Sequence, residues 1–271
     1  MGQEKVTASV IFAAGKGSRM KGTEANKTLL PLRPGTSLFE GERPILLEIL
    51  ENLPSGPKAM VVNYKKEEVI KNTRSLNLHY YVQPVLNGTG GALIAAKAFI
   101  QEHDFDQLII TYGDIPLVKS ITYRRLLGTL DKNDFSVLGF KPEDKKQYGV
   151  LEIENDRVKK ITDSKYWQNY PTAIQKKLSI CNAGIYATKK EILQKYLPIL
   201  EQHPHKILKE RKGKMVEIEE YFLTDLIEWM DQDGLNVGYT LAENEYEVMG
   251  VDDPTRLEKA QQIYKELYGQ V

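Results

Sequence analysis

Val6-Thr7-Ala8-Ser9-Val10-Ile11-Phe12-Ala13-Ala14 runs directly into Gly15-Lys16-Gly17-Ser18-Arg19-Met20. The first half is apolar and β-branched and too short to be anything but a buried strand. The second half is a glycine-rich turn at that strand's carboxyl end, where backbone N–H groups lie open and an anion can approach closely. Thr7 and Ser9 interrupt the apolar run, which therefore reads as a strand entering a loop and not as a secretory signal.

Outward from this stretch the chain alternates. Strand signals at Lys58–Asn63, His79–Gln83, Gln107–Tyr112 and Phe135–Phe140 are separated by helical periodicity at Ile45–Leu53, Lys66–Arg74, Thr89–Glu102 and Thr122–Leu130. Such βαβ repetition predicts an α/β fold with a mostly parallel, doubly wound sheet. Three further strands follow at Gly149–Glu154, Arg157–Asp163 and Ile180–Tyr186, the first two joined by a Glu154-Asn155-Asp156 turn. Helices are expected at Lys189–Leu200 and Tyr221–Asp231, a strand at Val237–Leu241, and a closing helix from Pro254 to Tyr268. Asp252 or Asp253 caps that last helix and Pro254 suits its first turn. No repeat, linker or low-complexity tract interrupts the 271 residues. One domain is expected over residues 1–271, with a first half to about residue 140, a second from about 141 to 250, and the closing helix.

Composition narrows the function. Lys+Arg and Asp+Glu are both 37, a net charge of zero, which argues against a nucleic-acid partner. No apolar run approaches the roughly 18 residues of a membrane helix. Met1-Gly2 begins a myristoylation-like pattern that Val6 breaks. The single cysteine, Cys181, excludes an internal disulfide and fits a reducing compartment. A cytoplasmic protein with no membrane partner is expected.

Two known phosphate loops fail here. A dinucleotide fingerprint needs glycine where Met20 stands, and Gly22 to Lys27-Thr28 lacks the second glycine of a P-loop. What remains is Gly15-x-Gly17-x-Arg19-Met20, then Lys27 before Leu29-Leu30-Pro31-Leu32. It reads either as a phosphate wrap with two cations or as a tight turn with solvated basic residues. A second glycine turn, Asn87-Gly88-Thr89-Gly90-Gly91, follows Gln83-Pro84 and opens a helix. Asp114 follows an apolar strand, where a hard oxygen can ligate Mg²⁺ or merely shape a turn.

Taken in order, these segments and Tyr112-Gly113-Asp114-Ile115-Pro116, Tyr148-Gly149, Asn182-Ala183-Gly184, Tyr221-Phe222-Leu223-Thr224-Asp225 and Gly250-Val251-Asp252-Asp253 resemble the sugar-nucleotide pyrophosphorylase (nucleotidyltransferase) family. Within it they are most similar to the uridyltransferase domain of bifunctional N-acetylglucosamine-1-phosphate uridyltransferases. The resemblance spans about Ser9 to Ala260. It implies a Rossmann-like, three-layer fold with a mixed, mostly parallel sheet, and transfer of a nucleotidyl group from a nucleoside triphosphate to a sugar 1-phosphate with release of pyrophosphate. Uracil is the implied base and N-acetylglucosamine 1-phosphate or a related hexose 1-phosphate the implied acceptor. Ala13, Ala14, Gly15 and Gly17 with Arg19 and Lys27 would hold the triphosphate; Gln83, Gly88 and Thr89 would read the base, Gln83 with both a donor and an acceptor. Gly149, Asp163 and Asn182 would line the sugar; Asp114 and Asp252 would ligate Mg²⁺.

Relatives carry Glu where Asp163 lies, a second Gln at Leu86, and Asn at Asp252. They also continue into an acetyl-transferring β-helix of hexapeptide repeats, which this sequence is not expected to support. The loop Pro34–Arg43 is longer than the family pattern. Transfer to glucose 1-phosphate, phosphocholine or a molybdopterin is the neighbouring reading; a non-catalytic nucleotide-binding subunit is the distant one, opposed by the joint presence of Arg19, Lys27 and both aspartates.

The implied chemistry needs no catalytic triad. A phosphate nucleophile is already an anion at pH 7, so the work is positioning and electrostatics. His203-Pro204-His205 looks like a metal pair but reads as surface, with no further ligand at zinc spacing. His79 and His103 read as structural. The basic run Lys206, Lys209, Arg211, Lys212, Lys214 reads as a solvated loop. Trp167 either flanks the sugar or packs in the core.

Overall fold

Every residue of the first strand, β1 (Thr7–Ala13), is buried. Its side chains alternate between two cores: Ala8, Val10 and Phe12 enter one, Ile11 and Ala13 the other. That period of two makes β1 the centre of a three-layer molecule. In a computed structural model, residues 5–145, 147–211 and 213–269 are described; Met1-Gly2 and Lys212 lie outside them.

A 3₁₀ turn at Lys27–Leu29 follows β1, then β2 (Pro31–Ser37), β3 (Glu40–Pro44), α1 (Ile45–Asn52), β4 (Lys58–Val62), α2 (Lys66–Thr73) and β5 (His79–Val82). Next come α3 (Gly88–Ala95), α4 (Lys97–Glu102), β6 (Gln107–Tyr112), α5 (Ser120–Gly128) and β7 (Phe135–Phe140). The second half holds β8 (Val150–Glu154), β9 (Arg157–Thr162), α6 (Ser164–Trp167), α7 (Thr172–Lys177), β10 (Cys181–Lys189) and α8 (Lys190–Gln202). The chain continues with β11 (His205–Arg211), β12 (Lys214–Glu220), α9 (Asp225–Gln232), β13 (Val237–Leu241) and α10 (Pro254–Tyr268).

The main sheet has the order β13-β7-β10-β6-β1-β4-β5, extended by β8 and β9 from the start of β10. Strands β6, β1, β4 and β5 are mutually parallel, as are β13 and β7; β10 runs antiparallel to β6 and β7. Both halves therefore share one mixed sheet. Helices α1, α5 and α10 bury Leu46, Tyr123 and Leu257 on one side; α3, α4, α8 and α9 bury Leu93, Phe99, Tyr196 and Leu226 on the other. Asn155 and Asp156 both take positive φ (51° and 60°) in the β8–β9 turn, the conformation a two-residue hairpin loop requires. Asp253 caps α10, its Oδ1 accepting from the Arg256 N–H at 2.8 Å, so Asp252 is not the cap.

Four local expectations change. Pro34–Arg43 belongs to a hairpin, β2–β3, tied to α10 by Gln261, whose Nε2 donates to the Pro31 and Leu38 carbonyls. Of the basic run, Lys206, Lys209, Arg211 and Lys214 lie in the paired strands β11 and β12. The helix expected over Thr89–Glu102 is divided at Ala96 into α3 and α4. Tyr221–Thr224 precede α9 and are not part of it. Among the described residues no helix is long and apolar enough to cross a membrane.

Candidate active site

The sheet's winding reverses at β1, which pairs with β4 on one side and β6 on the other. Connections leave the carboxyl ends of these strands in opposite directions, so a crevice must open there. A cavity of about 380 Å³ occupies that position. Ala13, Ala14, Gly15, Lys27, Gln83, Gly88, Thr89 and Asp114 all line it. Residues as far apart in the chain as Ala13 and Asp114 thus meet at one place.

Backbone constraints build its walls. Gly17 has φ +61° and packs against the aliphatic part of Lys27, a Cβ there lying 3.3 Å from Lys27 Cδ. The loop and the lysine stem thus shape one another. Gly88, at φ +93°, packs against the Tyr221 carbonyl, and the Gly90 N–H donates to that carbonyl at 2.9 Å. The Tyr221 N–H donates back to the Asn87 carbonyl at 2.8 Å, and the Leu223 N–H to Thr89 Oγ1 at 3.2 Å. This exchange ties Tyr221–Leu223 to the glycine turn and explains why the expected helix starts four residues late.

Gln83 is buried, and its amide NH₂ donates to Asn87 Oδ1 at 3.0 Å and to the Gly88 carbonyl at 3.1 Å. Both hydrogens are in use, so only the carbonyl oxygen is left for a ligand. The expectation of a donor and an acceptor is thereby reduced to an acceptor. Leu86 lines the same wall and adds apolar surface.

The charged groups are paired across the site. Lys27 Nζ donates to Asp114 Oδ2, and both side chains are nearly buried. Arg19, mostly exposed, forms an ion pair with Asp252 Oδ2. The Val251 N–H donates to the Asp114 carbonyl at 2.7 Å, which brings the two aspartate segments together although 138 positions separate them. Asp252 Oδ1 is buried and has no hydrogen-bond partner among the described residues; Arg256 Nε stands 3.6 Å from it. Asp114 is among the residues that line the cavity and Asp252 is not; the backbone bond is what joins their segments, and a hard divalent cation needs only one or two such carboxylates, taking its remaining ligands from phosphate and water. No cluster of three or more candidate metal-binding side chains occurs among the described residues.

The three sugar-site candidates also come together. Val150 pairs with Thr162 and with Cys181, so Gly149, Asp163 and Asn182 flank adjacent strand ends. The Asn182 N–H donates to the Gly149 carbonyl at 2.8 Å. Asn182 Oδ1 accepts from the Gly184 N–H, and its Nδ2 donates to the Tyr186 hydroxyl, each at 2.9 Å. Asp163 is exposed and caps α6, accepting from the Lys165 N–H at 3.0 Å. This cluster abuts the cavity through Tyr112, whose ring lies against Gly184.

Sequence reasoning missed Phe12, Thr28, Tyr112 and Glu220 as lining residues. Tyr112 and Thr28 adjoin residues it did name; Glu220, at the end of an unexpected hairpin, carried no signal. Burial drives the Tyr112 hydroxyl pKa well above its usual value, Tyr186 and Asp114 add to the effect, and a hydrogen bond with Thr89 opposes it. Trp167 is buried and donates to the Tyr148 carbonyl at 2.8 Å. His205 pairs with Asp225 at 2.7 Å while His203 Nδ1 meets the Ile199 carbonyl, so the two histidines have separate partners.

A cavity at a sheet switch point, walled by two glycine turns and lined by the Lys27–Asp114 ion pair, is the site of a nucleotidyltransferase. The chain belongs to the MobA-like NTP transferase domain family, whose pattern it matches over residues 9–207. It is 29% identical over 256 residues to the bifunctional protein GlmU of Francisella tularensis subsp. novicida, covering 94% of this chain and 51% of that protein. The chain thus spans about half the length of the curated relatives it matches. Among solved structures, a Bacillus anthracis protein assigned as a glucose-1-phosphate thymidylyltransferase superposes with a TM-score of 0.67 at 18% identity, covering 96% of both chains. The UDP-N-acetylglucosamine pyrophosphorylase of Trypanosoma brucei superposes at 0.69 and 12% identity, covering 95% of this chain and 65% of that one. These likenesses establish the α/β nucleotidyltransferase fold.

Proposed function

We propose that this protein transfers a uridylyl group from UTP to a sugar 1-phosphate, N-acetylglucosamine 1-phosphate or a related hexose 1-phosphate, releasing pyrophosphate, and that the two halves act as one domain. The observation that carries this reading is the convergence of the glycine loop, Lys27, Gln83 and Asp114 on one cavity, beside the Gly149–Asp163–Asn182 cluster. The GlmU relatives, and the names of the superposable enzymes, support sugar-nucleotide chemistry.

In the proposed reaction a phosphate oxygen of the sugar attacks the α-phosphorus, and the bond to the leaving pyrophosphate breaks. The backbone amides of Gly15 and Gly17 hold the phosphates; Lys27 and Arg19 offset the charge that builds on them. No proton needs to move. Mg²⁺, which Asp114 and Asp252 would hold, supplies charge neutralisation at the phosphates. The lone acceptor of Gln83 suits the imide N–H of uracil. Thymine presents the same imide, so dTTP is the competitor most similar in chemistry.

The test is a pyrophosphate-release screen of UTP, dTTP, CTP, ATP and GTP against a panel of sugar 1-phosphates with Mg²⁺. UTP with an amino-sugar or hexose 1-phosphate is expected to give the highest kcat/KM. A purine triphosphate in first place would overturn the base assignment, and no turnover with any pair would favour a non-catalytic nucleotide-binding role.

A further inference from the structure

Of the adjacent glutamates that end β12, Glu219 is exposed and Glu220 is buried. Glu220 also lines the candidate active-site cavity, yet the proposed reaction gives it no part. Backbone fixes its place. The Tyr221 N–H donates to the Asn87 carbonyl and the Gly90 N–H to the Tyr221 carbonyl, so the residue after Glu220 is fastened to the glycine turn. The ladder of β12 holds Glu220 itself, opposite His205 of β11. Its side chain lies on Gly88, with Cγ 2.8 Å from where a Cβ on that glycine would stand. The Gln83 amide donates to the Gly88 carbonyl. Glu220 and Gln83 therefore meet at the same glycine, at the end of the cavity assigned to the base.

Chemistry then narrows what Glu220 can meet. A carboxylate accepts hydrogen bonds and donates none, and its two oxygens offer about four acceptor sites, so it can serve the protein and a ligand together. UTP presents donors only at the imide N–H and at the ribose 2′- and 3′-hydroxyls. The imide is matched by the Gln83 carbonyl oxygen, the one group of that side chain left for a ligand. The uracil carbonyls and the phosphates are acceptors or anions, which a carboxylate repels. The hydroxyls remain, and a cis-diol suits the two oxygens of one ionised carboxylate.

We propose that Glu220 determines sugar specificity in the nucleotide: it accepts the ribose hydroxyls and so selects ribonucleotides over deoxyribonucleotides. The assignment rests on the uridylyl-transfer reading and deepens it, because dTTP offers the same imide as UTP but lacks the 2′-hydroxyl. A deoxynucleotide cannot supply that hydrogen bond, and a hydrogen bond to a charged acceptor is typically worth about tenfold or more in affinity.

The experiment measures kcat/KM for pyrophosphate release with UTP, 2′-deoxyUTP and 3′-deoxyUTP, in the native protein, Glu220→Gln and Glu220→Ala. Urea denaturation of each reports folding. The native protein should favour UTP over 2′-deoxyUTP by about tenfold or more. Glu220→Gln keeps the shape and one acceptor but removes the charge, and should lower that preference. Glu220→Ala should bring it close to unity by slowing UTP far more than the deoxy analogues, the signature of a direct contact in a protein-by-ligand cycle. If Glu220→Ala does not fold, the near-isosteric Glu220→Gln decides. A carboxylate with a structural role alone would slow all three nucleotides by one factor, and that unchanged ratio would overturn the proposal. So would a native protein that uses UTP and 2′-deoxyUTP equally. No turnover of UTP by the native protein would overturn the uridylyl-transfer reading and this assignment with it, whereas turnover with an unchanged ratio overturns the assignment alone.

Discussion

At the scale of single residues the two aspartates separate cleanly. Asp253 takes the helix cap, whereas Asp252 pairs with Arg19 and stands 3.6 Å from Arg256 Nε, its Oδ1 buried without a hydrogen bond among the described residues. Asp114 holds Lys27 directly. Replacing either carboxylate by its amide keeps the shape and an oxygen but removes the charge that both a cation and a divalent metal require. Asp114→Asn is therefore expected to lower turnover by on the order of 10²-fold or more and to shift the Mg²⁺ dependence strongly upward. Asp252→Asn should cost little turnover but raise the Mg²⁺ requirement. Activity measured against Mg²⁺ concentration for both variants checks this. An Mg²⁺ curve unchanged in Asp114→Asn would remove that residue from the metal site.

Among the elements, strands buried on both faces could be read directly: β1, β4, β6 and β7 sit within a residue of where Val, Ile and Phe place them. The two hairpins could not. Pro31-Leu32-Arg33-Pro34-Gly35 has no alternation to betray a strand; its pairing is held by Gln261, 230 positions from Pro31. The break at Ala96 lies inside an alanine-rich run with no glycine or proline, so no local signal exists. Tyr221–Leu223 lost their helix to a tertiary backbone exchange with the glycine turn. Site residues were legible where they belonged to glycine turns, and illegible, as with Glu220, where a hairpin delivered them. The irregular start of β10 yields a prediction at this scale. Gly184 has φ +76°, and a Cβ would lie 2.5 Å from Tyr112 Cε2. Gly184→Ala combines left-handed strain with overpacking, for a loss of about 2–4 kcal/mol, measurable by urea denaturation. The displaced ring also lines the nucleotide cavity, so nucleotide affinity should fall in the folded variant; native affinity and stability would show that the turn relaxes freely.

Over the whole molecule, the charges answer a problem of assembly. On the proposed reading, the cations that would meet a triphosphate and the carboxylates that would hold a metal neutralise one another through Lys27–Asp114 and Arg19–Asp252. The first pair lies nearly out of water, where an unpaired charge is costly; the second includes an exposed arginine and is worth little by itself. Metal alone must displace Lys27 and leave a buried cation without a partner. Nucleotide alone must draw Lys27 away and leave a buried carboxylate bare. Arriving together, the two ligands would satisfy both groups, so positively coupled binding is the expected outcome of the proposed function. Reciprocity requires each to tighten the other by the same factor, typically between about 5- and 150-fold. Titration with Mn²⁺ followed by electron paramagnetic resonance should show weak binding to the free protein and tighter binding with UTP present. The distinguishing variant is Lys27→Met. It frees Asp114, so Mn²⁺ alone should bind more tightly than to the native protein while turnover falls. If Lys27→Met leaves the affinity for Mn²⁺ alone unchanged, the ion pair does not compete with the metal, and the coupling must arise within the nucleotide itself.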